Sequence, residues 1–319
     1  MKKITALLLC AILALSALVL VGCGNKCTEE TLKLGLGVYS TASATNADGD
    51  KNGNGEVVIT AAAVLVDKDG KIVKCVLDTA DNSVAYTSAG KAVANTEFKT
   101  KHELGDAYGM KGAPYGSDKE WYEHANAFCA LVVGKTASEV KALVAADGKN
   151  TDAVISAGCT IAASDFVKAV EKAVANAVAS DATKNSTLKL AMSTTQETAD
   201  ATAEKAGSNA VTTDIFAAAV DAEGKIVAAT NETVDVEFKF DATGTTTFAA
   251  EEVKGKRELG DAYGMKGAPY GSDKEWYEHA NAFVAACIGK KASDITAGFT
   301  AAGCTISVDG FVAAASKIG

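Results

Sequence analysis

The sequence has no CxxC pair, no cysteine–histidine spacing of the zinc type, and no Ser/His/Asp arrangement that stands out. The first two absences argue against a zinc site or a dithiol motif. The third argues against nucleophilic hydrolysis. Basic charge is also scarce, with 31 lysines and arginines against 40 acidic side chains, a net charge of −9. That excludes nucleic acid as a partner, because such binding depends on a basic surface. Only two prolines occur, Pro114 and Pro269.

The one apolar run of spanning length is Ile4 to Val21, preceded by Lys2 and Lys3 and ending in Leu20-Val21-Gly22-Cys23. A short basic start and an apolar stretch describe a secretory signal peptide. The Leu-Val-Gly-Cys ending resembles the lipobox of bacterial lipoproteins. That resemblance implies cleavage after Gly22, lipid on the Cys23 thiol, and a chain held on the extracytoplasmic face of a bacterial membrane. Buried lipid methylenes would anchor it, at about 0.8 kcal/mol each. Without Lys2 and Lys3 the balance is 29 basic to 40 acidic side chains, net −11. The lipid, not charge, must then supply membrane attachment.

Six cysteines remain beyond Cys23 in such a mature chain: Cys27, Cys75, Cys129, Cys159, Cys287 and Cys304. An exported chain could oxidise them. A disulfide common to both halves of the sequence is not expected, since only Cys159 and Cys304 correspond between them.

Those halves are related. The segment ELGDAYGMKGAPYGSDKEWYEHANAF occurs twice without change, at Glu103–Phe128 and Glu258–Phe283. Immediately downstream only six of fourteen positions agree. Weaker matches join Thr31–Leu34 to Thr187–Leu190, the turn Lys68–Val73 to Ala222–Val227, and Ala157–Thr160 to Ala302–Thr305. The expected organisation is a signal peptide over 1–22, a lipidated tether over 23–30, a first unit over 31–180 and a second over 181–319. Each unit has ordinary domain size. Polar Asp181 to Ser186 reads as the linker.

Within a unit, strands precede helices. Val57–Val66 and Ile72–Leu77 flank Asp69-Gly70, a hairpin signal. Ile215–Val220 and Ile226–Ala229 do the same around Glu223-Gly224. Val234 to Phe240 alternates apolar and charged residues, as an extended segment with one wet face does. Asp48–Gly53 resembles the opening of a calcium loop, but the twelfth position is Ile59 where a carboxylate is needed. It reads as a hairpin turn. Ser117 and Glu120 predict a capping box before a helix with Trp121, Ala125, Phe128 and Val132 on one face. Thr136 and Glu139 predict a second helix, and Phe166, Val170 and Val174 mark a third over 164–178. The expected class is α+β: two tandem repeats, each an antiparallel sheet with a hairpin followed by packed helices.

The unchanged segment carries the candidate site. Before Ser117, four glycines and Pro114 forbid regular structure and shape a loop. Tyr108, Met110, Lys111 and Tyr115 decorate it, as do Tyr263, Met265, Lys266 and Tyr270 in the second copy. Glycine amides and a lysine suit anionic charge, and tyrosines suit stacking. A small, flat, anionic ligand fits this set, and so does a protein partner. Lys119, Glu123 and Asn126 lie off the apolar stripe, so contact with something is expected to hold them constant. His124, four residues after Glu120, is expected to be solvated and ion-paired. No metal-binding or catalytic set is expected.

Ala157-Gly158-Cys159-Thr160 precedes an amphipathic helix. With the DGKI hairpin, this tetrad makes each unit resemble the FMN-binding domain of extracytoplasmic electron-transfer proteins and membrane redox pumps. In that family the final threonine of an Asp-x-x-Ser-Gly-Ala-Thr motif is esterified to FMN phosphate by a dedicated transferase. The resemblance implies Thr160 and Thr305 as flavin acceptors. Ala157 and Ala302 stand in place of the serine, Cys159 and Cys304 in place of the alanine, and Val154 and Phe299 in place of the aspartate. The functional expectation is a lipid-anchored module that binds a small ligand, FMN in the family, or carries electrons without being an enzyme. The alternative is a surface interaction or structural lipoprotein that docks proteins through the repeated Gly/Tyr/Trp segment.

Overall fold

Strict alternation of side chains decides the architecture. The computed structural model describes residues 30–112, 114, 116–267, 269 and 271–319. The signal peptide, Cys23, Tyr115 and Tyr270 lie outside the described residues. β1 (Thr31–Thr45), β2 (Gly53–Val66) and β3 (Ile72–Tyr86) form an antiparallel meander. Along β2, Val57, Ile59, Ala61, Ala63 and Leu65 enter one apolar layer, while Ala62, Val64 and Val66 enter another. A period of two sends successive side chains to opposite faces, so both faces of this sheet are covered.

The second repeat does the same. After β4 (Val178–Thr183), β5 (Thr187–Ala199), β6 (Gly207–Val220) and β7 (Ile226–Phe240) form its meander. Val211, Ile215, Ala217 and Ala219 of β6 join the layer that holds Val57 and Ile59. Phe216, Ala218 and Val220 face away from it. The two sheets therefore share one apolar layer, and each carries its own helices outside. The fold is α+β, in four layers: helices, sheet, sheet, helices. Each fully buried Val, Ile or Leu contributes about 1.5–3 kcal/mol, so the shared layer binds the repeats tightly.

The first helical layer comprises α1 (Lys101–Leu104), α2 (Trp121–Val132), α3 (Ala137–Lys141), α4 (Asp152–Ser156) and α5 (Ser164–Ala175). The second comprises α6 (Lys256–Leu259), α7 (Trp276–Cys287) and α8 (Asp309–Ser316), after a short strand β8 (Glu251–Val253). The polar stretch expected to be a linker is partly strand. β4 pairs with the start of β1, and β8 pairs with Ser40–Ala42 farther along the same edge. The second repeat thus donates β8 to the first repeat's sheet.

Contacts between the repeats are reciprocal. Tyr86 and Phe240, which correspond, stack on each other with ring centroids 4.4 Å apart and planes 5° from parallel. The Ala47 amide donates to Gly244 O at 2.9 Å, and the Ala201 amide to Gly90 O at 2.8 Å. Lys172 of α5 reaches Glu258 at 3.0 Å, while Lys317, just past α8, reaches Glu103 at 2.8 Å.

Candidate functional site

The unchanged segment begins in α1, passes a short 3-10 turn at Gly105–Tyr108, and runs through an irregular loop into α2. A buried carboxylate seats it. Asp78 of β3 accepts from the His102 amide at 3.1 Å, and Glu232 of β7 accepts from the Arg257 and Glu258 amides at 2.7 and 3.2 Å. Burial pushes both carboxyls up from their ordinary range. The longer Glu232 occupies the space that a side chain on Gly255 would need. Thr100 stands there in the first repeat, opposite the shorter Asp78, and caps α1 with Glu103.

Glu120 folds the loop back onto α2. Its carboxylate accepts from the Met110 and Lys111 amides at 2.9 and 3.1 Å, and Glu275 does the same for Met265 and Lys266 at 2.9 and 3.3 Å. Glu120 is also the N-cap residue, its amide donating to Glu123 Oε2 at 2.8 Å. The helix therefore starts three residues later than the expected Ser117–Glu120 box. At the tip, Gly112 and Gly116 take φ of 88° and 69°, which a side chain would resist. The Gly112 amide donates to Ser117 O at 2.8 Å.

Ser117 then links the loop to the Gly-Cys-Thr turn through His124. The Ser117 hydroxyl lies 2.6 Å from Lys119 O, to which it donates, and 3.0 Å from His124 Nε2. With its own proton committed, Ser117 accepts from Nε2. His124 Nδ1 faces the same turn, 3.3 Å from the Thr160 amide and 3.2 Å from Gly158 O. The second repeat keeps this chain, with Ser272 to His279 Nε2 at 3.0 Å and the Thr305 amide to Nδ1 at 3.3 Å. Lys119 Nζ donates to Gly158 O at 2.9 Å, and Lys274 Nζ to Gly303 O at 2.7 Å.

These contacts correct two expectations. His124 is fully buried, not solvated, and its partners are Ser117 and the Thr160 turn. Lys119 and Glu123 are held by hydrogen bonds of the fold, so their constancy needs no outside molecule. Asn126 remains exposed.

The expected site residues divide by exposure. Tyr108 and Met110 are half-buried against the first helical layer, and Tyr263 and Met265 against the second. The Lys101 ammonium lies 5.0 Å from the Tyr108 ring centre, and Lys256 lies 5.2 Å from that of Tyr263. Lys111 and Lys266 are exposed, as are Pro114 and Pro269. Thr160 and Thr305 are exposed while their amides are tied to the buried histidines. The structure thus joins Thr160, Lys119, Ser117 and the loop tip into one constellation. The histidine that joins them is the residue sequence reasoning missed. Its signal was present: histidine, serine and the Gly-Cys-Thr turn are all duplicated together.

A separate cleft of about 640 Å³ lies between the repeats, walled by Leu34 and Leu36 of β1, Lys172 and Asn176 at the end of α5, and Arg257 and Glu258 of α6. A smaller hollow of about 220 Å³ is its counterpart, with Leu190, Met192, Lys317, His102 and Glu103 in the corresponding places. Among the described residues, no group of three or more His, Cys, Asp or Glu side chains could hold a metal ion, and no helix is long and apolar enough to cross a membrane.

No family model matches the chain, and no solved structure does. The chain is similar to a protein named chlorophenol reductase from Desulfitobacterium hafniense, 35% identical over 122 residues. The match covers 34% of this chain and 37% of that protein, so the chain spans little more than a third of its relative's length.

Proposed function

We propose that this is an extracytoplasmic lipoprotein, anchored at Cys23, whose duplicated units bind a small redox ligand and carry electrons without being enzymes. The observation that carries the reading is the placement of Thr160 and Thr305. Each is exposed, follows a turn fixed to the unchanged segment, and has a lysine bonded to the glycine carbonyl two residues before it. A relative named for reductase activity supports a redox role.

FMN is the ligand that the family resemblance suggests, and the residues fit it in part. An exposed threonine hydroxyl with a neighbouring ammonium suits a phosphoester. The family's aspartate is missing, and Val154 in its place is fully buried in the apolar layer. Attachment must then rest on threonine, lysine and the turn. Bound flavin would supply one- and two-electron transfer; the protein's part is to hold it by Thr160 and Thr305. Co-expression with a flavin transferase, followed by a visible spectrum and intact mass, tests this. One FMN mass per unit, lost in Thr160→Val plus Thr305→Val, supports it. A colourless, unmodified protein beside a flavinylated control sinks it.

The exposed loop tip favours a second reading, protein docking. A side chain built on Gly105, Gly112 or Gly116 would meet nothing within 4 Å, so the tip stands clear of the fold. Capture of a partner that is lost in Tyr108→Ala plus Tyr263→Ala supports this reading over the first.

A further inference from the structure

Cys75 on β3 and Cys129 on α2 meet at the seam between the first sheet and its helices. Both thiols are free, and Cys75 packs against the apolar cluster that holds Cys129. Cys129 belongs to the apolar layer and is 8% exposed, while Cys75 is half-buried beside it. Both line a hollow of about 410 Å³ that is open to solvent, with Lys74, Asn126 and Val133 at its wall. Neither cysteine has a role in the constellation around His124. The second repeat has Ala229 and Val284 at the corresponding positions. The fold itself therefore does not require sulfur here.

We propose that Cys75 and Cys129 form a reversible disulfide that clamps β3 to α2 in the first repeat alone. The chain between them holds the rest of β3, α1, the glycine loop and most of α2. The bond would close that stretch covalently and fix one copy of the unchanged segment more firmly than the other. The oxidant is a small-molecule or protein disulfide. The more accessible Cys75 thiolate attacks one of its sulfurs, forming a mixed disulfide and releasing one thiol. Cys129, as thiolate, then attacks the Cys75 sulfur and expels the second thiol. Two protein thiols lose two protons and two electrons, and the oxidant's disulfide is reduced to two thiols. The Cys129 thiol, and then burial, hold the Cys75 thiol well above its ordinary pKa, so exchange accelerates as pH rises.

The test is oxidation of the folded full chain with oxidised glutathione, then alkylation and peptide mapping. The expected product joins the Cys75 and Cys129 peptides, is cleaved by dithiothreitol, and melts about 5 °C or more above the reduced protein, because a long loop is closed. Cys75→Ala plus Cys129→Val, which installs the second repeat's residues, should fold normally and show no melting shift on oxidation. The proposal is overturned if both cysteines stay alkylatable or end as separate glutathione adducts. Linkage that forms only in urea overturns it equally. Flavin content does not enter these readouts, so the result is independent of the proposed cofactor.

Discussion

Lys172 pairs with Glu258 across the boundary between the repeats, and the equivalent Lys317 pairs with Glu103. Glu103 and Glu258 are the first residues of the unchanged segment. Part of its constancy therefore reflects contact between the two copies, because a change in one glutamate would strand a lysine on the other repeat. Lys172 also reaches Glu252 at 3.4 Å, which ties α5 to β8. All these side chains keep substantial solvent contact, so each pair should contribute roughly 0–1 kcal/mol. In urea unfolding, Lys172→Glu should lower stability by about 1 kcal/mol, and Lys172→Glu with Glu258→Lys should recover part of the loss. The effect should shrink in high salt. No recovery in the double variant would mean that the pairing is incidental.

Buried Asp214 gives the second prediction. It sits on β6 at the place Thr60 holds in the first repeat, accepts from the Thr233 hydroxyl, and crowds Gly310 of α8. Burial pushes its carboxyl from 3.8 up to about 6. A raised acid binds its proton more tightly when folded. Its contribution is therefore intact below about pH 4 and is lost as pH rises towards 6. Two units correspond to about 3 kcal/mol. Asp214→Asn should raise the melting temperature at pH 7.5 and flatten stability between pH 4 and 6. Asp78, Glu232 and Glu56 are raised in the same direction, each chiefly by burial, so a smaller slope should persist. An Asn variant with the parental pH profile would remove Asp214 as its source.

His124 supplies the third. Replacing it with alanine removes the partner of the Thr160 amide and one partner of the Ser117 hydroxyl, and opens a cavity at a fully buried position. Each lost hydrogen bond costs about 1–3 kcal/mol when a buried group is stranded. His124→Ala should therefore lower stability by a few kcal/mol, and the Thr160 amide should exchange its hydrogen faster than its neighbours. Unchanged protection at Thr160 would show that the turn holds itself.

The sequence made the fold class legible through period-two and period-3.6 patterns and the two Gly turns, which are hairpins between β2 and β3 and between β6 and β7. The unchanged segment also stood out without any structure. Other features were hidden for physical reasons. The returning strand was legible only to Leu77, yet β3 runs on to Tyr86 because Asp78–Asp81 stay paired with Val58–Ala61 of β2. His124 and Glu120 have the spacing of a helix pair. At the N-cap, however, the Glu120 side chain turns back to the loop amides, and His124 faces a turn distant in sequence. Which repeat covers which face depends on packing between sheets, and no local pattern records that.

Gly35 and Gly37 test how closely α5 lies on β1. A side chain on Gly35 would collide with the Ala173 carbonyl oxygen, and one on Gly37 with that of Ala169. Both obstacles are backbone, so they cannot swing aside. α5 and β1 must separate or bend to admit even one methyl group. Overpacking of this kind costs about 1–3 kcal/mol or more. The second repeat carries Ala191 and Ser193 at these positions and a shorter final helix, α8. Its sheet and helix already accommodate a Cβ there. Gly35→Ala should therefore lower the urea midpoint strongly, whereas Ala191→Gly should cost only about 1 kcal/mol, mainly through chain entropy. Equal, small effects at both positions would show that α5 is free to rise off the sheet, and that the two repeats pack their last helices alike.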